Sequence, residues 1–329
     1  MADDGDIDAL RSAPLERPDA PGVPEAFVAP AGEGEELTEF GVAARSQTRL
    51  VLRRFVRHRV AMAALVILVV MAAMSFLAPH FYKYKYDFQS RTDVSQAPSL
   101  THWFGTDEIG KDTFALVMRG ATKSLQVGLL VALVATFVGV LVGALAGYYR
   151  GWLDGILMRV TDLFLTIPSL AVLLVVANRY RESSGNWFSI MLVIAAFAWM
   201  YQARLTRSEF LSLRERDFVQ SARALGASDA RIILRHMLPN ALGSIIVNAT
   251  LTVAIAILTE STLSFLGLGI SAPDTSLGKL VADFQDAART RWWLFYMPGL
   301  WLILLLLCVN FIGDGLRDAF DPRQERTRA

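Results

Sequence analysis

Long apolar runs alternate with short charged stretches along most of the 329 residues. The first run covers 60–78, with Ser75 its only polar residue, and the second covers 124–149 without a charge. A third spans 159–178, with Asp162 near its start and Pro168 inside, and a fourth spans 187–203. A fifth runs over 240–266, interrupted by Glu260, and the last over 292–312. A hydrocarbon layer about 30 Å thick needs about 20 apolar residues in a helix. The pattern therefore predicts an all-α, polytopic membrane protein with six transmembrane helices. The third and fourth runs are the weakest, each with a charge-free core slightly short of 20 residues, but flanking Trp187, Trp199 and Arg204 favour spanning helices.

Charge adds an orientation. With the N-terminus inside, and leaving out the two Arg of residues 1–41, nineteen Arg fall on the cytoplasmic side and eleven Lys or Arg outside, which favours both termini in the cytoplasm. Residues 1–41 hold eleven Asp or Glu against two Arg. They lack the basic start and apolar core of a secretory signal and read as a disordered acidic tail. The expected organisation is that tail over 1–44, then the first transmembrane helix and a periplasmic segment over 45–124. A core domain over 125–319 follows, then a cytoplasmic tail over 320–329. Cys308 sits alone in an apolar run, where it reads as a buried hydrophobe rather than part of a disulfide or metal site. Gly139, Gly143 and Gly147 repeat a small-xxx-small spacing that lets two helices approach closely.

The longest cytoplasmic connection, 204–239, is basic yet rich in apolar residues. Phe218, Val219, Ala222 and Leu225 follow helical spacing, and Gly226 is placed to end that helix. Ser228 can cap a second helix, with Asp229 in its first turn. Ile232, Ile233, Leu234, Met237 and Leu238 give this helix an apolar side, and Pro239 closes the unit. Two short helices here expose an apolar knuckle. It either lies on the membrane surface or docks into another protein.

DFVQSARALGASDARIILRHMLPN, residues 217–240, resembles the coupling loop of binding-protein-dependent ABC importer permeases. That family's pattern is Glu-Ala-Ala, three residues, Gly, nine residues, Ile, one residue, Leu-Pro. It falls here on Gln220, Ser221, Ala222, Gly226, His236, Leu238 and Pro239, so the Glu, first Ala and Ile positions depart from it. Gln220 and His236 are similar to the dipeptide and oligopeptide (C-type) branch. HWFGTDEIGKD (102–112), GYYRGWLDGILMRVTDLFLTIPSL (147–170), ESTLSFLGLGI (260–270) and GDGLRDAFDPR (313–323) resemble further segments of that branch, in order. The resemblance covers about 45–325. It implies a type I ABC importer permease fold, a homologous second permease subunit, two cytoplasmic ATPase subunits and an extracytoplasmic solute-binding protein. It also implies peptides, or solutes such as nickel complexes or glutathione, as cargo, and residence in the cytoplasmic (inner) membrane. It assigns ATPase coupling to Asp217, Ala222, Gly226, Ala227, Leu238 and Pro239. ATP hydrolysis would then occur on the partners, and this chain would need no cofactor.

Other motifs carry less. GTDEIGK (105–111) fits seven positions of a phosphate-binding loop, but Asp112 stands where Ser or Thr should meet Mg²⁺. Glu260 is the one carboxylate well inside an apolar run, so it is a candidate for the solute path. Asn248 and Pro168 are weaker candidates. Asn248 and Asn310 suit interhelical hydrogen bonds. Arg159 and Asp162 read as a local interfacial pair, and Asp314, Arg317 and Asp318 as a C-terminal anchor. His58, His80, His102 and His236 lack ligand spacing, and no catalytic arrangement or metal site is suggested. The rival reading is a self-sufficient secondary transporter or channel, for which Glu260 would be the coupling group. A membrane scaffold is a third reading.

Overall fold

A computed structural model describes residues 47–181 and 187–320. The predicted acidic tail 1–44 and residues 321–329 lie outside the described residues. The order is α1 (Gln47–Arg57), α2 (Arg59–Phe81), α3 (Thr113–Tyr149), α4 (Gly151–Thr166) and α5 (Ser169–Arg181). Then come α6 (Trp187–Arg214), α7 (Asp217–Ala224), α8 (Asp229–Arg231), α9 (Leu238–Phe265), α10 (Leu277–Asp283) and α11 (Trp292–Phe320). A π-turn, Ile232–Met237, joins α8 to α9, and a 3-10 turn, Gln285–Arg289, precedes α11. Among the described residues the only strand-type pairing is an isolated bridge between Thr106 and Asp112.

Five helices are long and apolar enough to cross a membrane, and a bent pair can make a sixth span. The third predicted span is thus a broken one. It starts at Gly151 and turns through 78° between Thr166 and Ser169. Ile167 is extended (φ −78°, ψ 131°), as the residue before a proline must often be, and Pro168 restarts the chain as α5.

Two other predicted boundaries move. The second span begins at Thr113, not near 124, so the expected division at 124 falls inside a continuous helix. Asp112 starts it by accepting a hydrogen bond from the Ala115 N–H at 2.9 Å. Arg119 and Lys123 sit within this extension because Asp274 meets both, at 2.8 Å and 3.3 Å. The fourth span continues to Arg214, which shortens the predicted 204–239 loop. Arg207 can lie on this helix because Asp154 of α4 takes its guanidinium in two bonds, at 2.6 and 2.7 Å.

α3 is the central rod. Gly139, Gly143 and Gly147 bring it against α6. A Cβ on Gly143 would lie 2.3 Å from the Ala203 carbonyl oxygen, and one on Gly147 would lie 2.6 Å from the Phe210 Cβ. The predicted close approach is therefore made within the chain. On α3's other side, Leu125 and Ala132 pack with Ile257 of α9, Leu305 of α11 and Met71 of α2. A second cluster joins Val127 and Val131 to Leu173 of α5 and to Ile190 and Ile194 of α6. The outer faces expose Val66 and Val69 of α2, Leu133 and Phe137 of α3, and Leu300 and Ile303 of α11. Such apolar surface suits a lipid surround.

Near one end, His58 links α1 and α2 to the last turns of α11. Its Nδ1 accepts from the Ala61 N–H, and its Nε2 lies 3.4 Å from Asp318. Asp318 is thus one anchoring contact of the expected C-terminal group. Asn310, expected to bond across helices, donates to the Leu306 carbonyl one turn back and to no other helix among the described residues.

Candidate functional site

The 217–239 segment is held from beneath and bare on top. α7 ends in a left-handed turn at Gly226 (φ +79°). The Gly226 N–H donates to the Arg223 carbonyl at 3.0 Å, and the Ala227 N–H to the Ala222 carbonyl at 3.1 Å. This pair of bonds is the glycine-terminated helix end expected from the sequence. Ser228 sits at the start of α8 but makes no side-chain cap bond. Asp229 does other work, accepting from the Tyr148 hydroxyl at 2.6 Å.

Tyr148, which sequence reasoning missed, is the hub. It lies near the end of α3, bonds Asp229, and offers its carbonyl to Arg214 at 2.7 Å. The Arg223 guanidinium lies 5.6 Å from its ring centre. Four helices (α3, α6, α7 and α8) therefore meet on one residue. The only sequence signal was its place beside the predicted end of an apolar run.

The apolar underside is Val219, Ile232 and Met237, all fully buried against Ala144, Phe210, Ala241 and Ile245. The predicted apolar face of α7 divides. Val219 points in, Ala222 is half-buried, and Phe218 and Leu225 are exposed, Leu225 at 88%. Leu234 is exposed as well. A Cβ on Gly226 would meet nothing within 4 Å. Of the candidate coupling residues, Asp217, Gly226 and Pro239 are exposed, and Ala222, Ala227 and Leu238 are partly covered.

Pro239 does not close the unit as expected. The chain is helical from Asp229 through Phe265. Proline has no N–H to donate and its ring crowds the preceding turn. Here the π-turn widens that turn, with the Leu238 N–H reaching the Ile233 carbonyl five residues back. The knuckle is thereby joined rigidly to a transmembrane helix.

A belt of ion pairs surrounds this end. Asp162 pairs with Arg204 of α6, not with Arg159 as expected, because the α4–α6 contact brings the two together. Arg150 meets Glu215 at 2.6 Å.

Glu260 lies toward the far end of α9 and is fully buried. Ser264 donates to it at 2.6 Å and Ser124 at 3.2 Å. Ser124 also accepts from the Leu277 N–H at 3.3 Å, and Ser276 lies 3.2 Å from Ser264. The candidate path carboxylate is therefore enclosed by serines of α3, α9 and the α10 start, and it does not border open space within this chain. Such satisfaction is what a polar group inside a membrane protein needs. Asn248 makes the expected interhelical bond, donating to Gln202 of α6 at 2.6 Å. Pro168 and its break are exposed and lie apart from Glu260's cage.

The GTDEIGK segment is closed on itself. The Asp107 carboxylate accepts from the Ile109 and Lys111 N–H groups at 2.9 and 2.7 Å, so these donors are taken. Beside it, buried Asp112 joins His102 at 2.8 Å and the Tyr82 hydroxyl at 3.0 Å. Burial and the Asp112 charge push the Tyr82 hydroxyl well above its ordinary range, which keeps it a donor.

Comparison with known proteins agrees with this architecture. Residues 139–326 match the family described as binding-protein-dependent transport system inner membrane component, and 46–98 match the N-terminal TM domain of oligopeptide transport permease C. The chain is 42% identical over 292 residues to the oligopeptide transport system permease protein OppC of Mycobacterium tuberculosis, covering 89% of this chain and 99% of that one. It is 34% identical to OppC of Bacillus subtilis over 299 residues, covering 91% and 96%. It is also 42% identical to a putative peptide permease of Brucella suis, covering 83% and 90%. Among solved structures, a chain of the inward-facing MetNI methionine ABC transporter aligns with a TM-score of 0.53 at 20% identity, covering 63% of this chain and 96% of that one. With its span pattern, its glycine-ended knuckle and these relatives, the chain belongs to the binding-protein-dependent ABC transporter permease family.

Proposed function

We propose that this chain forms the translocation path for peptides, or a similar small solute, together with a homologous second permease. Two ATPases dock on the 217–239 knuckle, and a solute-binding protein delivers cargo at the opposite end. The chain hydrolyses no ATP itself. Both termini and the knuckle lie in the cytoplasm, in keeping with the charge bias. The peptide assignment rests on the relatives' names.

The observation that carries this reading is the knuckle itself. Exposed Leu225, Phe218 and Gly226 sit on a base locked by Val219, Ile232 and Tyr148. A free surface helix would need no such base. The continuous helix Asp229–Phe265 then supplies a lever. From the knuckle to Glu260 it runs about 45–50 Å at 1.5 Å per residue. Movement imposed on the knuckle by ATPase closure is thereby delivered to α10 at the far end, as alternating access requires.

The α4–α5 break supports the second permease. Non-helical backbone cannot face hydrocarbon, because its polar groups would go unsatisfied. Its exposure in the single chain points to a protein or water-lined neighbour.

Purification from native membranes in mild detergent, followed by mass spectrometry, tests the assembly. A homologous permease and one or two ATPases are the expected companions. Recovery of this chain alone, in a well-behaved preparation, would return Glu260 to the centre of a secondary-transport mechanism.

A further inference from the structure

A cleft of about 280 Å³ opens between the end of α2, the chain segment after it, and the start of α3. Its floor is apolar, formed by Ala78, Phe114 and Met118. Its rim carries Tyr84, Lys85, Tyr86, Asp87 and Arg119. Nothing in the proposed transport cycle uses it.

The depth of the cleft is set by the helices. α2 is 23 residues long, enough to cross the hydrocarbon, so residues after Phe81 stand at the boundary with water. α3 has 37 residues, about 55 Å of helix, and its first turns must project beyond an apolar layer of about 30 Å. Tyr82, Tyr84 and Tyr86 therefore sit where interfacial aromatic residues gather. The α2 surface leading into the cleft exposes Phe76, Leu77 and Phe81, so lipid chains reach its mouth.

The rim's charges select the headgroup. Arg119 is already held by Asp274 at 2.8 Å and lies 4.8 Å from the Tyr86 ring centre. Lys85 and Asp87 are exposed and make no ion pair among the described residues. One free cation and one free anion on the rim of an apolar floor match a zwitterionic headgroup. Its phosphate would meet Lys85, and its ammonium would meet Asp87 and a tyrosine face. The volume lies at the small end of ligand pockets, which suits a headgroup with its glycerol and not an oligopeptide.

We propose that this cleft binds an ethanolamine phospholipid from the surrounding leaflet, seated between Lys85 and Asp87 with its glycerol on Ala78 and Met118. The lipid fills the cleft beside the end of α2 and so fastens α2 to the start of α3.

The test is native mass spectrometry of the complete transporter, equilibrated with equal amounts of phosphatidylethanolamine and phosphatidylglycerol. Four forms are compared: wild type, Lys85→Glu, Ala78→Trp to fill the cleft, and Lys83→Glu, which does not line it. Wild type and Lys83→Glu should retain phosphatidylethanolamine in preference to phosphatidylglycerol. Lys85→Glu and Ala78→Trp should lower that retention about tenfold. Should Ala78→Trp fail to assemble, the exposed Lys85→Glu carries the test alone. Equal retention in wild type and Lys85→Glu overturns the proposal, as does a preference for phosphatidylglycerol in wild type. Unchanged lipid, with lost stimulation by the solute-binding protein in Lys85→Glu, also overturns it and makes the cleft a protein contact. None of these lipid readings depends on the assignment of the transported solute.

Discussion

Gly226→Asp separates the docking role of the knuckle from its folding. The position has φ +79°, where an L-residue is strained by roughly 1–2 kcal/mol, and Asp is among the residues that tolerate it best. A Cβ there meets nothing within 4 Å, so no steric term is added within the chain. Val219, Ile232 and Tyr148, which hold the base, are untouched. Strain of about 1 kcal/mol at one exposed turn leaves a helix bundle of this size inserted. Docking is another matter. An ATPase cleft closing over the turn would have to bury a carboxylate, at about 2 kcal/mol or more without a partner. That corresponds to about a thirtyfold or greater loss of coupling. The assay reconstitutes the complete transporter in proteoliposomes and measures uptake and solute-stimulated ATP hydrolysis at matched amounts of permease. Normal insertion with both activities lost is the expected result. Wild-type uptake and hydrolysis in a properly inserted Gly226→Asp protein would refute the reasoning.

Tyr148→Phe removes only the hydroxyl bonded to Asp229, a charge-assisted bond worth about 1.5–3 kcal/mol. It should leave membrane levels unchanged, speed proteolysis within 217–231, and weaken solute-stimulated hydrolysis several-fold. Gly143→Ala places a methyl group 2.3 Å from the Ala203 carbonyl oxygen, an overpacking cost of about 1–3 kcal/mol. It should lower thermal stability in detergent, whereas Gly155→Ala, with open space around its Cβ, should not. Glu260→Ala strips three serines' network of its acceptor and should reduce assembled transporter. Glu260→Gln keeps the shape and should retain uptake within about threefold. Loss of uptake in a well-assembled Glu260→Gln protein would mean that the charge itself meets solute.

The spans were legible because an apolar run of about 20 residues has few alternatives. What escaped the sequence depended on partners far along the chain. Arg119 and Lys123 read as a loop until Asp274, about 150 residues away, is seen to meet them. Residues 204–214 read as connection because Asp154 and the Tyr148 carbonyl, which satisfy Arg207 and Arg214, could not be inferred from spacing. Asp162 was given its sequence neighbour Arg159, while the fold gives it Arg204. Within the coupling segment the glycine stop was readable, since a left-handed turn strongly favours that residue. The run through Pro239 was not, because a widened π-turn leaves no sequence mark that a proline stop would not also leave. Glu260 stood out by its place inside an apolar run alone. Its serine cage needed the packing of α3 against α9 and α10.

Site-directed cross-linking at the most exposed apolar residue of the knuckle tests the central claim most directly. Leu225→Cys is made with buried Cys308→Ala, so that the chain holds one thiol. A short bifunctional reagent is then applied to inside-out membrane vesicles containing the transporter, with and without ATP. The account predicts a cross-link to a co-assembled ATPase whose yield changes on ATP binding. An introduced thiol that reacts only from the outer face of the membrane, or forms no link to an ATPase in an active transporter, would contradict it.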